Sequence, residues 1–227
     1  LHSSESTIRR DIIALDQEGR LTKVFGGAIA LRTAQIVNKE LSMVQKKDLQ
    51  TAEKQAIARY AASLIEPDDC VYLDAGTSTG WMIEYIRETQ ATYVTNALSH
   101  AKRLADKGFH VILIGGEPKS STDAIVGAEA VVNLQKYHFS KGFFGTNGVE
   151  QNGGFTTPDA REAMVKQTAV KNTQLANRYF LATSSKFGEV YAVTFAGFEG
   201  GVILTEAPVQ ESLPKSVRVV NVNQPEQ

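Results

Sequence analysis

From residue 51 onward, the sequence alternates helical stretches with short runs rich in β-branched and aromatic residues, and this alternation constrains the fold more than any other feature. Strands that alternate with helices in this way are typical of an α/β domain whose sheet is largely parallel. We therefore predict a mostly parallel sheet flanked by helices, with the first helix over residues 51–65 and the second over residues 81–88. The predicted strands are residues 71–73, 93–95, 111–114, 142–144, 179–183, 202–205 and 217–222.

The composition is that of an ordinary globular protein. The 227 residues suffice for one large domain and a small one, 42% of them are hydrophobic, and the formal net charge is only −1. The single cysteine, Cys70, excludes an internal disulfide and has no neighbouring His or Cys for a metal. No apolar run approaches the roughly 18 residues of a membrane span. We expect a cytoplasmic protein without a metal, a cofactor or a membrane partner.

The residues that follow the first predicted strand favour an anion. Residues 74–80 read DAGTSTG and precede the second predicted helix, so small residues and hydroxyls come just before a helix N-terminus. The helix dipole and the free N–H groups there attract a phosphate. The motif lacks the Walker and Rossmann patterns, so a nucleotide is not favoured. The alternative interpretation is an ordinary tight turn with a Thr cap.

Further polar loops follow the later strands, at Asn96, at residues 115–116, at residues 145–148 and at residues 184–188. In a parallel sheet, ligands bind outside the carboxyl ends of the strands, so these loops are expected to share one rim. Lys186 then offers a point charge for a phosphate or sugar oxygen, although a lone Lys is usually just solvated.

The segment over residues 153–159 is expected to open a further helix. Glu162 and Lys166 in this helix are spaced i, i+4 and share a face. Their alternative interpretation is a surface ion pair.

The N-terminal residues predict a helix over residues 3–19, with a start at Ser3 or Ser4 and a stop at Gly19. Ile8, Ile12 and Leu15 fall on one face, which leaves polar residues to look outward. Residues 20–27 alternate as a β-ribbon would, and a basic ribbon beside such a helix is typical of a winged helix-turn-helix. A solvated amphipathic helix followed by a hairpin is the alternative. The outward polar residues of the helix are Ser6, Thr7, Arg10 and Gln17.

The sequence resembles the DeoR family of repressors at both ends. Residues 4–12 (SESTIRRDI), with Leu15, Gly19, Leu21 and residues 26–28 (GGA), are similar to that family's recognition helix and wing. The sensor motifs of the family recur in order over almost the whole remaining chain. They are LDAGTST at 73–79, VTNA at 94–97, GGE at 115–117, GTNG at 145–148, GFTT at 154–157 and SSKFG at 184–188.

The resemblance implies a sensor folded like ribose-5-phosphate isomerase, glucosamine-6-phosphate deaminase and CoA transferases, in an oligomeric repressor, a dimer or tetramer, released from operator DNA by a phosphorylated sugar. Residues 139–149 and 154–166 look most similar to repressors of fructose or lactose phosphotransferase operons, so fructose 1-phosphate is the first candidate, and tagatose 6-phosphate or another hexose phosphate the second. The effector-binding residues so implied are Asp74, Gly76, Thr77, Ser78, Thr79, Asn96, Gly116, Lys119, Asn147, Gly148, Thr157, Glu162, Lys166 and Lys186. The expected DNA-binding residues are Ser6, Thr7, Arg9, Arg10, Arg20 and Lys23.

The expected organisation is the end of a winged helix-turn-helix over residues 1–30, a linker over 31–50 and an effector domain over 51–227. In the family two further helices precede this point, and the chain starts at Leu1 in what reads as the middle of a structured unit. We therefore expect an N-terminally truncated chain whose residues 1–30 are loose. Operator DNA is expected as a partner of the full-length protein only.

Two departures from the family pattern bear on the pocket. Thr183 stands where the family usually has Asp before the SSKFG motif, and Ser140 stands where Asp often precedes Lys-x-Phe. Each replacement is expected to remove a carboxylate near the pocket.

The alternative function is a sugar-phosphate isomerase or deaminase of the same fold, which needs a positioned general base and a partner acid. Glu162 could be the base. Thr146 and Asn147, however, replace the paired carboxylates expected in an isomerase, so we predict no catalytic residues.

Overall fold

In the computed structural model, the chain divides into two compact units, Leu1–Gln35 and Ile36–Gln227. The ranges described are residues 5–17, 21–24, 26–30, 36–37, 49–209, 213–215 and 217–224.

The N-terminal unit contains helix α1 (Glu5–Gln17) and an antiparallel hairpin of β1 (Leu21–Val24) and β2 (Gly27–Ala30). Gly26 makes the turn with a positive φ of 87°, a conformation that suits glycine. Both the helix and the ribbon were predicted, although the second strand extends to Ala30. The predicted apolar face is only partly covered, because Ile8 is 49% exposed.

The second unit is built from alternating strands and helices. Its helices are α2 (Thr51–Ser63), α3 (Thr77–Tyr85), α4 (Leu98–Asp106), α5 (Ala128–Leu134) and α6 (Ala160–Lys171), with 3-10 turns at Leu175–Asn177 and Ser184–Lys186. Its strands are β3 (Ile36–Val37), β4 (Cys70–Leu73), β5 (Thr92–Thr95), β6 (His110–Leu113), β7 (Glu117–Lys119), β8 (Ala124–Val126), β9 (Lys141–Gly145), β10 (Gly148–Glu150), β11 (Gly154–Thr157), β12 (Arg178–Leu181), β13 (Val190–Tyr191), β14 (Val193–Ala196), β15 (Gly201–Thr205) and β16 (Arg218–Asn221).

The described strands form a central sheet in the order β16-β15-β12-β9-β4-β5-β6, and every pair in it is parallel. This confirms the predicted fold class. Two apolar cores lie on opposite faces of the sheet, because successive strand residues point to opposite sides. Phe143 packs in one core with Leu181, whereas Phe144 packs in the other with Phe180.

Helix α3 starts earlier than the sequence predicted. The expectation was a loop through Gly80 and a helix over residues 81–88, but the helix runs over Thr77–Tyr85. The hydroxyl of Thr79 donates to the backbone oxygens of Asp74 and Gly76, which closes the first turn locally. The helix ends before Ile86, whose backbone is extended.

A second correction concerns two segments, since residues 145–148 were expected to be a polar loop and residues 153–159 to open a helix. They form β10 and β11, which join β14 in a three-stranded antiparallel sheet. Helix α6 therefore begins only after Asp159, whose side chain caps it. The strands form because Val149 and Phe155 are fully buried beneath the main sheet's core.

The predicted linker over residues 31–50 is described only at residues 36–37 and 49–50. Strand β3 pairs in parallel with β13, with Ile36 opposite Val190 and Val37 opposite Tyr191. Part of the expected linker thus belongs to the second unit.

Candidate functional site

A cleft of about 260 Å³ lies at the carboxyl ends of β4, β9 and β12. Its walls are rich in hydroxyl, amide and ammonium groups. The lining residues are Leu49, Gln50, Lys54, Ala75, Gly76, Thr77, Ser78, Thr122, Gly145, Thr146, Asn147, Glu162, Lys166, Ser185, Lys186, Glu189 and Tyr191.

The N-terminus of α3 forms one wall. Gly76 is the N-cap with an extended backbone (φ −151°) and has no side chain to cap the first N–H groups of the helix. Thr77 and Ser78 in the first turn line the cleft. Uncapped N–H groups beside hydroxyls are the arrangement that receives an anionic oxygen.

Two of the predicted residues, Thr79 and Asn96, stabilise this wall through hydrogen bonds to the backbone of the loop. Thr79 is fully buried and bonds to the Asp74 and Gly76 carbonyls at 2.6 and 2.9 Å. The Asn96 amide oxygen accepts from the Ala75 N–H at 3.1 Å and from the buried Tyr72 hydroxyl at 2.9 Å. Thr79 and Asn96 therefore position the loop and are not among the residues of the cleft wall.

His100 of α4 packs directly behind α3. It is 1% exposed, and a Cβ built on Gly80 would lie 2.7 Å from its Nε2. Within the described residues, its Nδ1 has no hydrogen-bond partner. Burial, and then the charge of Arg103, lower the pKa of His100 from its ordinary 6.5 to about 4. The ring is therefore neutral at pH 7.

Lys166 forms a buried ion pair with Asp74 at the base of the cleft. Its ammonium donates to the Asp74 carboxylate and, at 3.0 Å, to the Gly145 carbonyl. The Gly145 N–H in turn donates to the same carboxylate at 3.0 Å. The pair ties the end of β4 to the end of β9 and to α6. The interpretation of Lys166 and Glu162 as a surface ion pair is wrong, since both are buried and each has other partners.

Glu162 belongs to a second polar cluster on α6. Its carboxylate accepts from the Thr122 hydroxyl and from the Lys119 ammonium, the latter at 3.1 Å. Lys119 also contacts Asp159 at 2.9 Å. Burial raises the pKa of Asp159, but hydrogen bonds from Lys119 and from two N–H groups of α6 outweigh it and lower the pKa overall. The cluster fixes the β7–β8 hairpin against α6.

Another wall contains Asn147 and Glu189, whose backbone segments pack closely together. Gly148 lies against the loop that carries Glu189, because a Cβ at Gly148 would meet the Glu189 carbonyl oxygen at 2.2 Å. The buried Thr157 hydroxyl lies 3.4 Å from the Asn147 amide oxygen. Gly148 and Thr157 thus support Asn147, which lines the cleft.

Half of the fourteen implied effector residues line the cleft, and the others lie behind it or beside it. Gly116 has a φ of 145°, and a Cβ there would lie 2.8 Å from both Ile125 and the Val126 carbonyl oxygen. It therefore allows the backbone before the β7–β8 hairpin to pack closely. The cleft-lining members are Gly76, Thr77, Ser78, Asn147, Glu162, Lys166 and Lys186. The remaining members are Asp74, Thr79, Asn96, Gly116, Lys119, Gly148 and Thr157.

Sequence reasoning missed the wall supplied by the first turn of α2. Lys54 is 4% exposed and lines the cleft. A signal was available, because Lys54 shares its helix face with Ile57, Ala58 and Ala61, and a Lys in an apolar stripe is rarely buried without a function or a partner. Gln50 had no local signal, although its partners Thr183 and Ser185 lie at a predicted loop.

The two departures from the family pattern lie at opposite ends of the sheet. The Thr183 hydroxyl donates to the Gln50 amide oxygen at the cleft. Ser140 instead precedes β9, and its hydroxyl donates to Asp69 at 2.6 Å. The expectation that Ser140 lies near the pocket is wrong, because the residue before a strand lies at the edge opposite to the strand's carboxyl end.

In the N-terminal unit, the predicted DNA-contacting side chains of Ser6, Arg9, Arg10 and Lys23 are exposed. Thr7 is half-buried, so it does not face fully outward as expected. The backbone N–H of Lys23 donates to Asp16 at 2.8 Å and joins the hairpin to α1. Arg20 lies outside the described residues.

The fold and the cleft define an α/β domain with a polar cleft at the carboxyl ends of its strands, which is where ligands of parallel sheets bind. No helix in the described ranges is long and apolar enough to cross a membrane. A family model described as the DeoR C terminal sensor domain matches residues 49–204, and one described as the DeoR-like helix-turn-helix domain matches residues 1–34. The chain belongs to the DeoR family.

Two curated relatives are similar over most of the chain. One, an uncharacterized HTH-type transcriptional regulator FruR of Bacillus subtilis, is 43% identical over 90% of this chain and 80% of its own length. The other, a lactose phosphotransferase system repressor of Staphylococcus aureus, is 40% identical over 83% of this chain and 74% of its own.

The solved structures to which the chain is similar are far more distant. Ribose 5 phosphate isomerase A from Neisseria gonorrhoeae is 11% identical, with a TM-score of 0.43 over 64% of this chain and 55% of that one. The delta subunit of eIF2B from Chaetomium thermophilum is 16% identical, with a TM-score of 0.46 over 66% of this chain and 58% of that one. The chain spans little more than half the length of each.

Proposed function

We propose that this chain carries the sensor of a transcriptional repressor of a sugar-utilisation operon, and that a phosphorylated sugar in the cleft controls its binding to operator DNA. Membership of the DeoR family and similarity to relatives named FruR and lactose phosphotransferase system repressor support this function.

One observation carries the proposal for the effector. The uncapped N-terminus of α3, with Thr77 and Ser78, opens into a cleft that also holds Lys54 and Lys186. Backbone N–H groups, hydroxyls and ammonium groups together suit a phosphate. Fructose 1-phosphate is the first candidate, and tagatose 6-phosphate or another hexose phosphate is the second. Asn147 and Glu162 would contact the hydroxyls of the sugar.

The proposed organisation assigns residues 1–30 to DNA reading, 31–50 to a linker and 51–227 to effector binding. The exposed Arg9, Arg10 and Lys23 suit phosphate and base-edge contacts in DNA. A homo-oligomer, a dimer or tetramer, would present two such units to a symmetric operator.

The repressor is proposed to act without catalysis. Glu162 already accepts hydrogen bonds from Lys119 and Thr122, which disfavours a carboxylate waiting for a carbon-bound proton. Thr146 and Asn147 line the cleft without adding a carboxylic acid.

Incubation with ribose 5-phosphate, glucosamine 6-phosphate and fructose 1-phosphate is expected to give no turnover. Turnover that Glu162→Gln abolishes would establish the isomerase or deaminase alternative instead.

The effector is tested by thermal shift with fructose 1-phosphate, tagatose 6-phosphate and fructose. A ligand present at about one hundred times its Kd stabilises the fold by about 2.7 kcal/mol, so a phosphosugar should raise the Tm while fructose should not. The double variant Thr77→Ala, Ser78→Ala should lose the shift.

Ser99→Ala is the matched control, because Ser99 occupies the first turn of α4 but does not line the cleft. It should keep the shift. An unchanged shift in the double variant would place the phosphate elsewhere.

A further inference from the structure

Part of the cleft wall comes from the segment that precedes α2 in sequence and from the start of α2 itself. Gln50 and Lys54 line the cleft from the first turn of α2. Strand β3 pairs with β13, and Glu189 and Tyr191 at β13 line the same cleft. Both described parts of the segment over residues 36–50 are therefore attached to the cleft wall.

Gln50 is held in an unusual conformation. Its φ is 52° and its ψ is 48°, in the left-handed region that residues with a side chain seldom adopt. Its carbonyl accepts from the Lys54 N–H at 3.0 Å, so it begins α2. Its side-chain oxygen accepts from the buried Thr183 hydroxyl at 2.9 Å and from the Ser185 hydroxyl at 3.0 Å.

The other half of the Gln50 amide is available to a ligand. Among the hydrogen bonds of the described residues, none uses the Gln50 Nε2, although the residue borders the cleft. An amide nitrogen donates up to two hydrogen bonds, so it suits an oxygen that accepts them, either in a phosphate or in a sugar hydroxyl.

From these contacts we infer that Gln50 is an effector-contacting residue that couples occupancy of the cleft to the start of α2. The inference rests on the proposed function. Nε2 donates to an oxygen of the bound phosphosugar while Oε1 keeps its bonds to Thr183 and Ser185. The bound ligand thereby fixes the start of α2.

The Thr183 hydroxyl determines which half of the Gln50 amide it engages. A hydroxyl donates to the Gln50 oxygen and leaves the amide N–H groups directed elsewhere, whereas an ionised carboxylate at position 183 would accept from the amide nitrogen. The Thr183 hydroxyl therefore orients the amide of Gln50 with its donors toward a ligand.

The test combines ligand affinity with amide hydrogen exchange. Fructose 1-phosphate is titrated against the fluorescence of Trp81, the only tryptophan in the sequence, which lies in α3. Exchange is followed with and without the ligand in peptides that include residues 49–54. The ligand is expected to slow exchange in these peptides in the wild-type chain.

Gln50→Glu tests the ligand contact without removing the bonds that hold residue 50 in place. A carboxylate still accepts from the Thr183 and Ser185 hydroxyls but cannot donate to the ligand. It should keep the exchange pattern of the unliganded protein, weaken binding about tenfold or more, and lose the ligand-dependent slowing. Gln55→Ala is the matched control, since Gln55 lies on the same helix but borders another surface depression, away from the cleft. It should behave as the wild type.

Wild-type affinity in Gln50→Glu, or exchange at residues 49–54 that the ligand leaves unchanged, would overturn the inference while the proposed function stands. If the wild-type chain binds no phosphosugar, the proposed function fails and the inference fails with it.

Discussion

The ammonium of Lys166 donates a hydrogen bond to the carboxylate of Asp74, and the two side chains are only 6% and 1% exposed. The partners come from α6 and from the residue after β4, 92 positions apart. This pair determines the geometry at the base of the cleft, because it also engages both backbone groups of Gly145.

Asp74→Asn should lower the free energy of unfolding by about 3 kcal/mol, because Lys166 would be left as a buried charge without a counter-ion. Urea unfolding measures the change. The double variant Asp74→Asn, Lys166→Met should lose less than the sum of the single losses. Lys102→Met is the control, since Lys102 and Asp106 form a pair that is 76% and 61% exposed, and it should change the stability by less than about 0.5 kcal/mol. Additive losses at Asp74 and Lys166 would show that the two charges do not stabilise each other.

Thr79→Val should cost about 1–2 kcal/mol, because the buried hydroxyl bonds two carbonyls of the loop before α3. The isosteric change leaves the packing intact, so unfolding in urea reports the lost hydrogen bonds. Thr194→Val removes an exposed hydroxyl that also bonds a carbonyl and should have a much smaller effect. Equal losses at the two positions would contradict a role for Thr79 in holding the loop.

Gly148→Ala should destabilise the protein by about 1–3 kcal/mol, because a Cβ would meet the Glu189 carbonyl oxygen at 2.2 Å and the backbone would have to shift. The same shift should weaken phosphosugar binding, since Glu189 lines the cleft. Differential scanning calorimetry gives the stability. Gly197→Ala, which has no heavy atom within 4 Å of the added Cβ, should be nearly neutral.

His100 makes the free energy of unfolding depend on pH, because its pKa differs between the folded and the unfolded protein. The pKa is about 4 in the folded protein and 6.5 ordinarily, so the unfolded chain binds the proton first as the pH falls. Above about pH 7 the ring is neutral in both states, so His100 should not affect the free energy of unfolding there. Between pH 6.5 and pH 4, its protonation in the unfolded chain should lower that free energy by roughly 3 kcal/mol.

Urea unfolding across this pH range measures the loss attributable to His100. His100→Gln should flatten the curve between pH 6.5 and pH 4, whereas His138→Gln, at an exposed histidine, should not. An unchanged slope in His100→Gln would mean that another group titrates.

The sequence by itself determined the fold class and the edge of the sheet at which the cleft lies. Short strand-like runs that alternate with helices can bury both faces only as a parallel α/β sheet, and such a sheet brings the ends of its strands to one rim. Thr77, Ser78 and Lys186 follow their strands directly, so strand order and local spacing sufficed to place them there. The resemblance to the DeoR family rested on the same local motifs.

Only the tertiary structure decided which side chains meet. Asp74 pairs with Lys166 and Gln50 with Thr183 across 92 and 133 positions, and no periodicity in the sequence encodes such partners. Thr79 and Asn96 belong to the predicted loops yet turn behind the cleft, since hydrogen bonds to buried backbone groups outweigh exposure to solvent. Local pattern specifies how a segment folds, whereas the partner of a buried polar group depends on which distant segments the packed core brings within hydrogen-bond distance.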